Sequence, residues 1–204
     1  MLRTATWPQH RTVEQSPFVQ ALLRSQLDRA AYCLLLRSLH EIYAALERNL
    51  AQQSAHRALG IVDAKHLFRR QALAEDLEFL YGPGWQDELA PQATASRYSR
   101  HLDEIARTRP ELLLAHAYVR YLGDLSGGQA LKRVVARSLA LPDSTGTRFY
   151  EFGDAAGLAR EFRARLVAVA DESARHADVV AEACAAFDLH EQLFDELDRS
   201  SLAC

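Results

Sequence analysis

Cysteine is scarce in this sequence. Cys33, Cys184 and Cys204 are odd in number, far apart and without metal-ligand spacing, which marks them as reduced thiols and excludes a disulfide framework. Long apolar runs are absent as well. Nothing approaches the ~20 apolar residues needed to cross a bilayer, and the opening MLRTATWPQH lacks the apolar stretch of a secretory leader. A soluble, cytoplasmic protein with no membrane anchor is therefore expected. Excess positive charge is missing too: the formal net charge is −3, which speaks against nucleic acid as the main partner. Arginine supplies almost all the basic residues, Lys65 and Lys132 being the lysines, and this bias carries no functional reading. No histidine pair shows HxxxH or HExxH spacing, so a zinc site is not expected. Internal repeats and Pro/Ser-rich linkers are lacking, and the strand-like residues 149–152 are too few to carry a sheet.

What is present is helix. With 204 residues, 49% of them hydrophobic and 25% charged, the chain suits one globular all-α domain over residues 1–204. Thr6-Trp7-Pro8-Gln9 has the form of a capping box with proline in the first turn, opening a helix that carries His10 and Glu14. Ser16-Pro17 starts a second helix. Asp28 caps a long third one, in which Tyr32, Leu35, Leu36, Leu39, Tyr43, Leu46 and Leu50 recur at helical spacing. Residues 52–62 read as a loop. A helix over 63–81 is stopped by Gly82-Pro83-Gly84, and others follow over 93–107, from Pro110 to just before Pro142, and as a pair within 154–197.

Inside the helix that starts at Pro110, the run Gly123-Asp124-Leu125-Ser126-Gly127-Gly128 is anomalous. Each interior glycine costs roughly 1 kcal/mol against alanine. A missing Cβ offsets that cost where the backbone must bend, where another helix crosses closely, or where something broad and flat lies against it. Arg120, Tyr121 and Asp124 share the segment at helical spacing. The Arg120–Asp124 pair is either a surface ion pair worth a few tenths of a kcal/mol or a buried carboxylate that needs partners such as Arg120, tyrosine hydroxyls and ordered water. A buried, water-linked acid beside a flat cavity would deliver protons. Among eight histidines, His10 stands out, because Glu14 one turn on can fix its tautomer as a metal-ligating imidazole requires. His40, His56, His66, His101, His116 and His176 show no such arrangement. Residue chemistry alone thus reaches a helical protein with one histidine-ligated planar cofactor.

The run AYVRYLGDLSGGQALKR resembles the distal-helix motif of the haem oxygenase family. ATWPQHRTVEQ, SLHEIYAALE, ALAEDLEFLYGPGWQ and AFDLHEQLFDEL match further segments in order, so that the resemblance covers roughly residues 2 to 198. It implies haem b, both cofactor and substrate, held between a proximal helix and a kinked distal helix, with His10 as iron ligand and Glu14 hydrogen-bonded to its ring. Gly123 and Gly127 would admit the porphyrin and bound O2. Asp124 would anchor the distal water network, with Tyr43, Tyr98, Arg120 and Tyr121 in support. Arg3, Tyr118 and Arg163 match positions that contact the propionates. Trp7 stands where a basic residue is common, Ala159 occupies an expected basic site with Arg160 beside it, and His190 falls where related enzymes often carry asparagine.

The implied activity is O2- and electron-dependent opening of haem at a meso carbon to biliverdin, carbon monoxide and ferrous iron, for iron release or bilin supply. The sequence has no flavin motif and no iron–sulfur cysteine set, so electrons would come from a ferredoxin or flavin-dependent reductase. A monomer is expected. A non-catalytic haem sensor or carrier on the same fold, and a haem-free helical interaction module, are the competing readings.

Overall fold

The computed structural model describes residues 2–56, 59, 65–143, 145–172 and 176–201. Among the described residues ten α-helices follow one another: α1 (Leu2–Ala5), α2 (Trp7–Gln15), α3 (Pro17–Leu23), α4 (Arg29–Gln52), α5 (Arg70–Leu80), α6 (Trp85–Glu88), α7 (Ala93–Thr108), α8 (Leu113–Ser138), α9 (Ala155–Glu172) and α10 (His176–Ser201). No strand occurs among the described residues.

Local chemistry explains several of the boundaries. Asp28 Oδ1 accepts the Ala31 N–H at 2.8 Å and starts α4, while the Ser16 hydroxyl accepts from Val19 N at 3.4 Å, ahead of Pro17, to start α3. Gly82 ends α5 in the left-handed region, φ +115°, where its N–H reaches Leu77 O at 3.3 Å. The residues at helical spacing on α4 form its buried face, which packs on α5 and α7. Helix α10 packs on α8 and on α2 and α3, closing the other side of the core.

Two expectations are corrected. The capping box at Thr6 does not form, because the short α1 precedes it and the Thr6 hydroxyl donates back to Leu2 O at 2.9 Å. The helix expected over 63–81 begins at Arg70, after a 3-10 turn at Lys65–Leu67; Asp63 lies outside the described residues. Its cap comes from α4: the Glu47 carboxylate accepts the N–H groups of Arg69 and Arg70. Residues 148–150 form a 3-10 turn whose Arg148 and Phe149 N–H groups donate to Asp76 at 2.9 and 2.8 Å. Of the expected loop, α4 ends at Gln52 as supposed, and residues 57, 58 and 60–62 lie outside the described residues.

Candidate functional site

Helix α8 runs unbroken from Leu113 to Ser138 through the glycine cluster, so the glycines do not interrupt it. They divide by role. A Cβ on Gly123 or Gly127 would meet nothing within 4 Å, whereas one on Gly128 would stand 3.3 Å from Tyr150 Cδ1. Gly128 is therefore a packing glycine. Gly123 and Gly127 leave bare backbone on the wall of a cavity of about 1350 Å3, beyond the ~300–1000 Å3 of common ligand pockets.

His10, Glu14, Arg3, Tyr118, Arg120, Asp124 and Arg163 line that cavity too, with apolar contributions from Leu35, Leu39, Val119, Phe149, Phe187 and Phe194. From α2, His10 stacks on Trp7 with ring centroids 5.9 Å apart and meets the edge of Phe187 on α10 at 5.8 Å. Its Nδ1 lies 3.5 Å from Glu14 Oε2 and makes no hydrogen bond. Arg163 reaches Ser126 Oγ at 3.3 Å, at the turn of α8 between Gly123 and Gly127. Ala159 is buried and Arg160 exposed.

Asp124 is no surface ion pair, its side chain being 10% exposed and that of Arg120 11%. Tyr43 on α4 donates its hydroxyl to Asp124 Oδ2, and Arg120 Nη2 donates to Oδ1 at 3.2 Å. Arg120 is spent on three partners, its Nε donating to Tyr43 Oη at 3.1 Å and its Nη1 lying 2.8 Å from His190 Nε2. His190 Nδ1 lies 2.6 Å from Ala186 O, which fixes its proton there and leaves Nε2 as the acceptor. Burial, then the Arg120 charge, holds the His190 imidazole well below its ordinary value, so the pair stays one cation and one neutral ring. Burial raises the Asp124 carboxyl above its ordinary value against the pull of Arg120 and Tyr43. The arrangement is a carboxyl of heightened proton affinity, held at both oxygens, on the wall of a mostly apolar cavity.

Tyr98 and Tyr121 have other partners. The Tyr98 hydroxyl meets His116 Nδ1 at 2.8 Å and its ring packs edge-on to His190; the buried Tyr121 hydroxyl makes no hydrogen bond, its ring resting against Tyr43 and Phe162. Sequence reasoning missed Phe149 and Tyr150, which sit in the residues read as strand-like and line the cavity. It also set aside His101 and His116, which converge on Glu182.

Fold and site together define an all-α protein with a large, mostly apolar cavity that carries an imidazole and bare helix backbone on its wall. The two open glycines on the cavity wall and the His10 ring, whose Nδ1 makes no hydrogen bond, fit a broad, flat ligand. Residues 1–196 match the family model described as heme oxygenase, and the chain belongs to that family, whose general reaction opens haem oxidatively to biliverdin. A relative named heme oxygenase 1 from Nostoc sp. is 34% identical over 200 residues, covering 97% of this chain and 84% of its own. Heme oxygenase-2 of Synechocystis sp., solved in complex with heme and NO, superposes with a TM-score of 0.94 at 36% identity over 99% of this chain and 85% of that one. Heme oxygenase-1 of the same organism, in complex with heme, gives 0.94 at 34% identity over 99% and 92%. No described helix is long and apolar enough to cross a membrane.

Proposed function

We propose that this haem oxygenase holds haem through His10 Nε2 and directs its oxidation with the α8 backbone and the Asp124 cluster. Bound haem supplies both the iron that takes up O2 and the ring that is opened. Glu14, 3.5 Å from His10 Nδ1, is placed to accept that nitrogen's proton after a small rotation, leaving Nε2 as the donor atom. Trp7 and Phe187 restrict how the imidazole can turn. Gly123 and Gly127 let backbone, with no side chain, approach the ligand face, while the apolar lining excludes bulk water.

The observation that carries the reading is the Asp124 cluster. Tyr43 and Arg120 occupy both carboxylate oxygens from fixed directions, so Asp124 can hold or pass a proton at a constant position on the cavity wall. Arg3, Tyr118 and Arg163 supply two guanidinium groups and a phenol on the cavity lining, a donor set that suits propionate carboxylates. Electrons come from a donor of the ferredoxin or flavin-dependent reductase class, since residues 1–204 carry neither a flavin motif nor an iron–sulfur cysteine set.

Haem titration tests the first part: the Soret band of the complex should shift in His10→Ala, and an unchanged band would remove His10 as ligand. Turnover with O2 and a reductase tests the second. The wild-type Soret band should give way to a bilin spectrum, and Asp124→Ala should keep the Soret band yet lose roughly a hundredfold or more in bilin formation, the scale of a lost proton-transfer group. Haem binding with no bilin from the wild type would make the protein a carrier.

A further inference from the structure

Outside the haem pocket, side chains from three helices converge on one point. His101 on α7 places Nε2 2.5 Å from Glu182 Oε1 on α10, and His116 on α8 places its Nε2 2.9 Å from the same oxygen. The three ligand atoms lie within 4.8 Å of one another. None of the three residues lines the haem cavity. His116 is fully buried, while the His101 side chain is 37% exposed, so the cluster opens to solvent on one side.

We propose that His101, His116 and Glu182 bind one divalent first-row transition-metal ion of the zinc or ferrous class, at a site independent of the haem reaction. Two imidazoles and one carboxylate make a donor set suited to these ions, and solvent beside His101 supplies the remaining ligands. Donors each about 2.0–2.1 Å from a tetrahedral ion stand about 3.4 Å apart, so the two separations from Glu182 Oε1 must widen by under about 1 Å, and the two imidazole nitrogens, within 4.8 Å of each other, must settle at the same spacing. The part-exposed His101 side chain can make most of that movement.

The proton inventory closes. Without metal, each Nε2–H donates to Glu182, and His116 Nδ1 accepts from the Tyr98 hydroxyl at 2.8 Å. With metal on Nε2, the ring proton of His116 moves to Nδ1 and donates to the same hydroxyl oxygen, whose own O–H then turns away from the ring. The ring proton of His101 moves to its own Nδ1 and faces water; if that ring carries two protons, one leaves to solvent. Tyr98 thereby fixes the ring of His116 in either state. Sequence spacing concealed this set because its members come one each from helices that meet only in the folded chain.

The competing reading is a hydrogen-bonded knot that fastens α7, α8 and α10 and binds nothing. Calorimetric titration of the haem-free, chelator-treated protein with Zn(II), with Co(II) absorption as a second probe, separates the two. The expected result is one Zn(II) per chain, an affinity at least about tenfold weaker in His101→Ala and in Glu182→Gln, and recovery to within about tenfold of wild type in His101→Cys, where a thiolate replaces the imidazole. His10→Ala should leave zinc affinity unchanged. No stoichiometric uptake by the wild type, equal affinity in His101→Ala, or loss of the site in His10→Ala would each overturn the proposal. Circular dichroism of His101→Ala, whose side chain is the most exposed of the three, confirms that the fold is intact.

Discussion

Replacing Gly123 and Gly127 together by alanine should make the protein more stable and worse at its task. Both lie inside α8, where each glycine-to-alanine change favours the helix by about 0.8–1 kcal/mol. A new Cβ at either position meets nothing within 4 Å, so no packing penalty offsets the gain. The sum is about 1.5–2 kcal/mol, which in a domain of this size raises the melting temperature by roughly 3–8 °C. The methyl groups must then project into the cavity, on the wall proposed to face the haem. Thermal unfolding of the haem-free protein and Soret titration of the same sample read the two effects separately. The expected pattern is a higher melting temperature with weaker haem binding and lower bilin yield. Gly128→Ala is the internal comparison: its Cβ would press on Tyr150 at 3.3 Å, so its stability gain should be smaller or absent. A double variant that melts higher and binds and converts haem as the wild type does would refute the assignment of these glycines to ligand contact. One that melts lower would refute the energetics.

Burial lifts the Glu47 carboxyl to about 7 and that of Asp76 to about 6, each above its value in an unfolded chain. Their contribution to stability is then complete below about pH 4 and is lost as pH rises through 6 and 7, by roughly 1–3 kcal/mol per group. Denaturant melts of the haem-free protein between pH 5 and 8 should show that decline, and Glu47→Gln should flatten it; equal slopes would contradict the sign. His190→Leu removes the acceptor of Arg120 Nη1 and should destabilise by about 1–3 kcal/mol, with most of the loss recovered in His190→Gln, which restores an acceptor. Equal urea midpoints for all three proteins would show that Arg120 does not need His190. Tyr43→Phe leaves Arg120 Nε and one Asp124 oxygen without their partner, so bilin formation should fall several-fold at unchanged Soret intensity. Full yield from that variant would release Tyr43 from the cluster.

Helix content was legible because periodicity on α4 and punctuation at Asp28, Ser16-Pro17 and Gly82 are local signals, and the folded chain obeys them. Thr6 misled for a local reason as well: its hydroxyl serves a preceding turn as donor rather than a following helix as acceptor. Long-range partners were beyond reading. Tyr43 and Asp124 are separated by 81 positions, and Arg120 and His190 by 70. Their meeting depends on how α4 and α10 pack around α8, which no short motif encodes. The glycine cluster was a strong signal because it breaks a helix rule that nothing local repairs; only the fold shows that Gly128 serves Tyr150 and the other two serve the cavity.

The borrowed caps have a consequence for the order in which the chain assembles. Helix α5 has no side-chain cap of its own and starts on Glu47, 22 to 23 positions upstream, so its first turn is under-supported until α4 exists. Asp76, carried by α5, in turn holds the 148–150 turn across 72 to 73 positions, and that turn delivers Phe149 and Tyr150 to the cavity wall. Dependence runs one way, from α4 to α5 to the turn. The part of the pocket wall carried by this turn is thus the last tier of a nested sequence of loop closures and is expected to open first in a partial unfolding event. Amide hydrogens of Arg148 and Phe149 should exchange before those of α4, and a ligand that seals the cavity should slow them most.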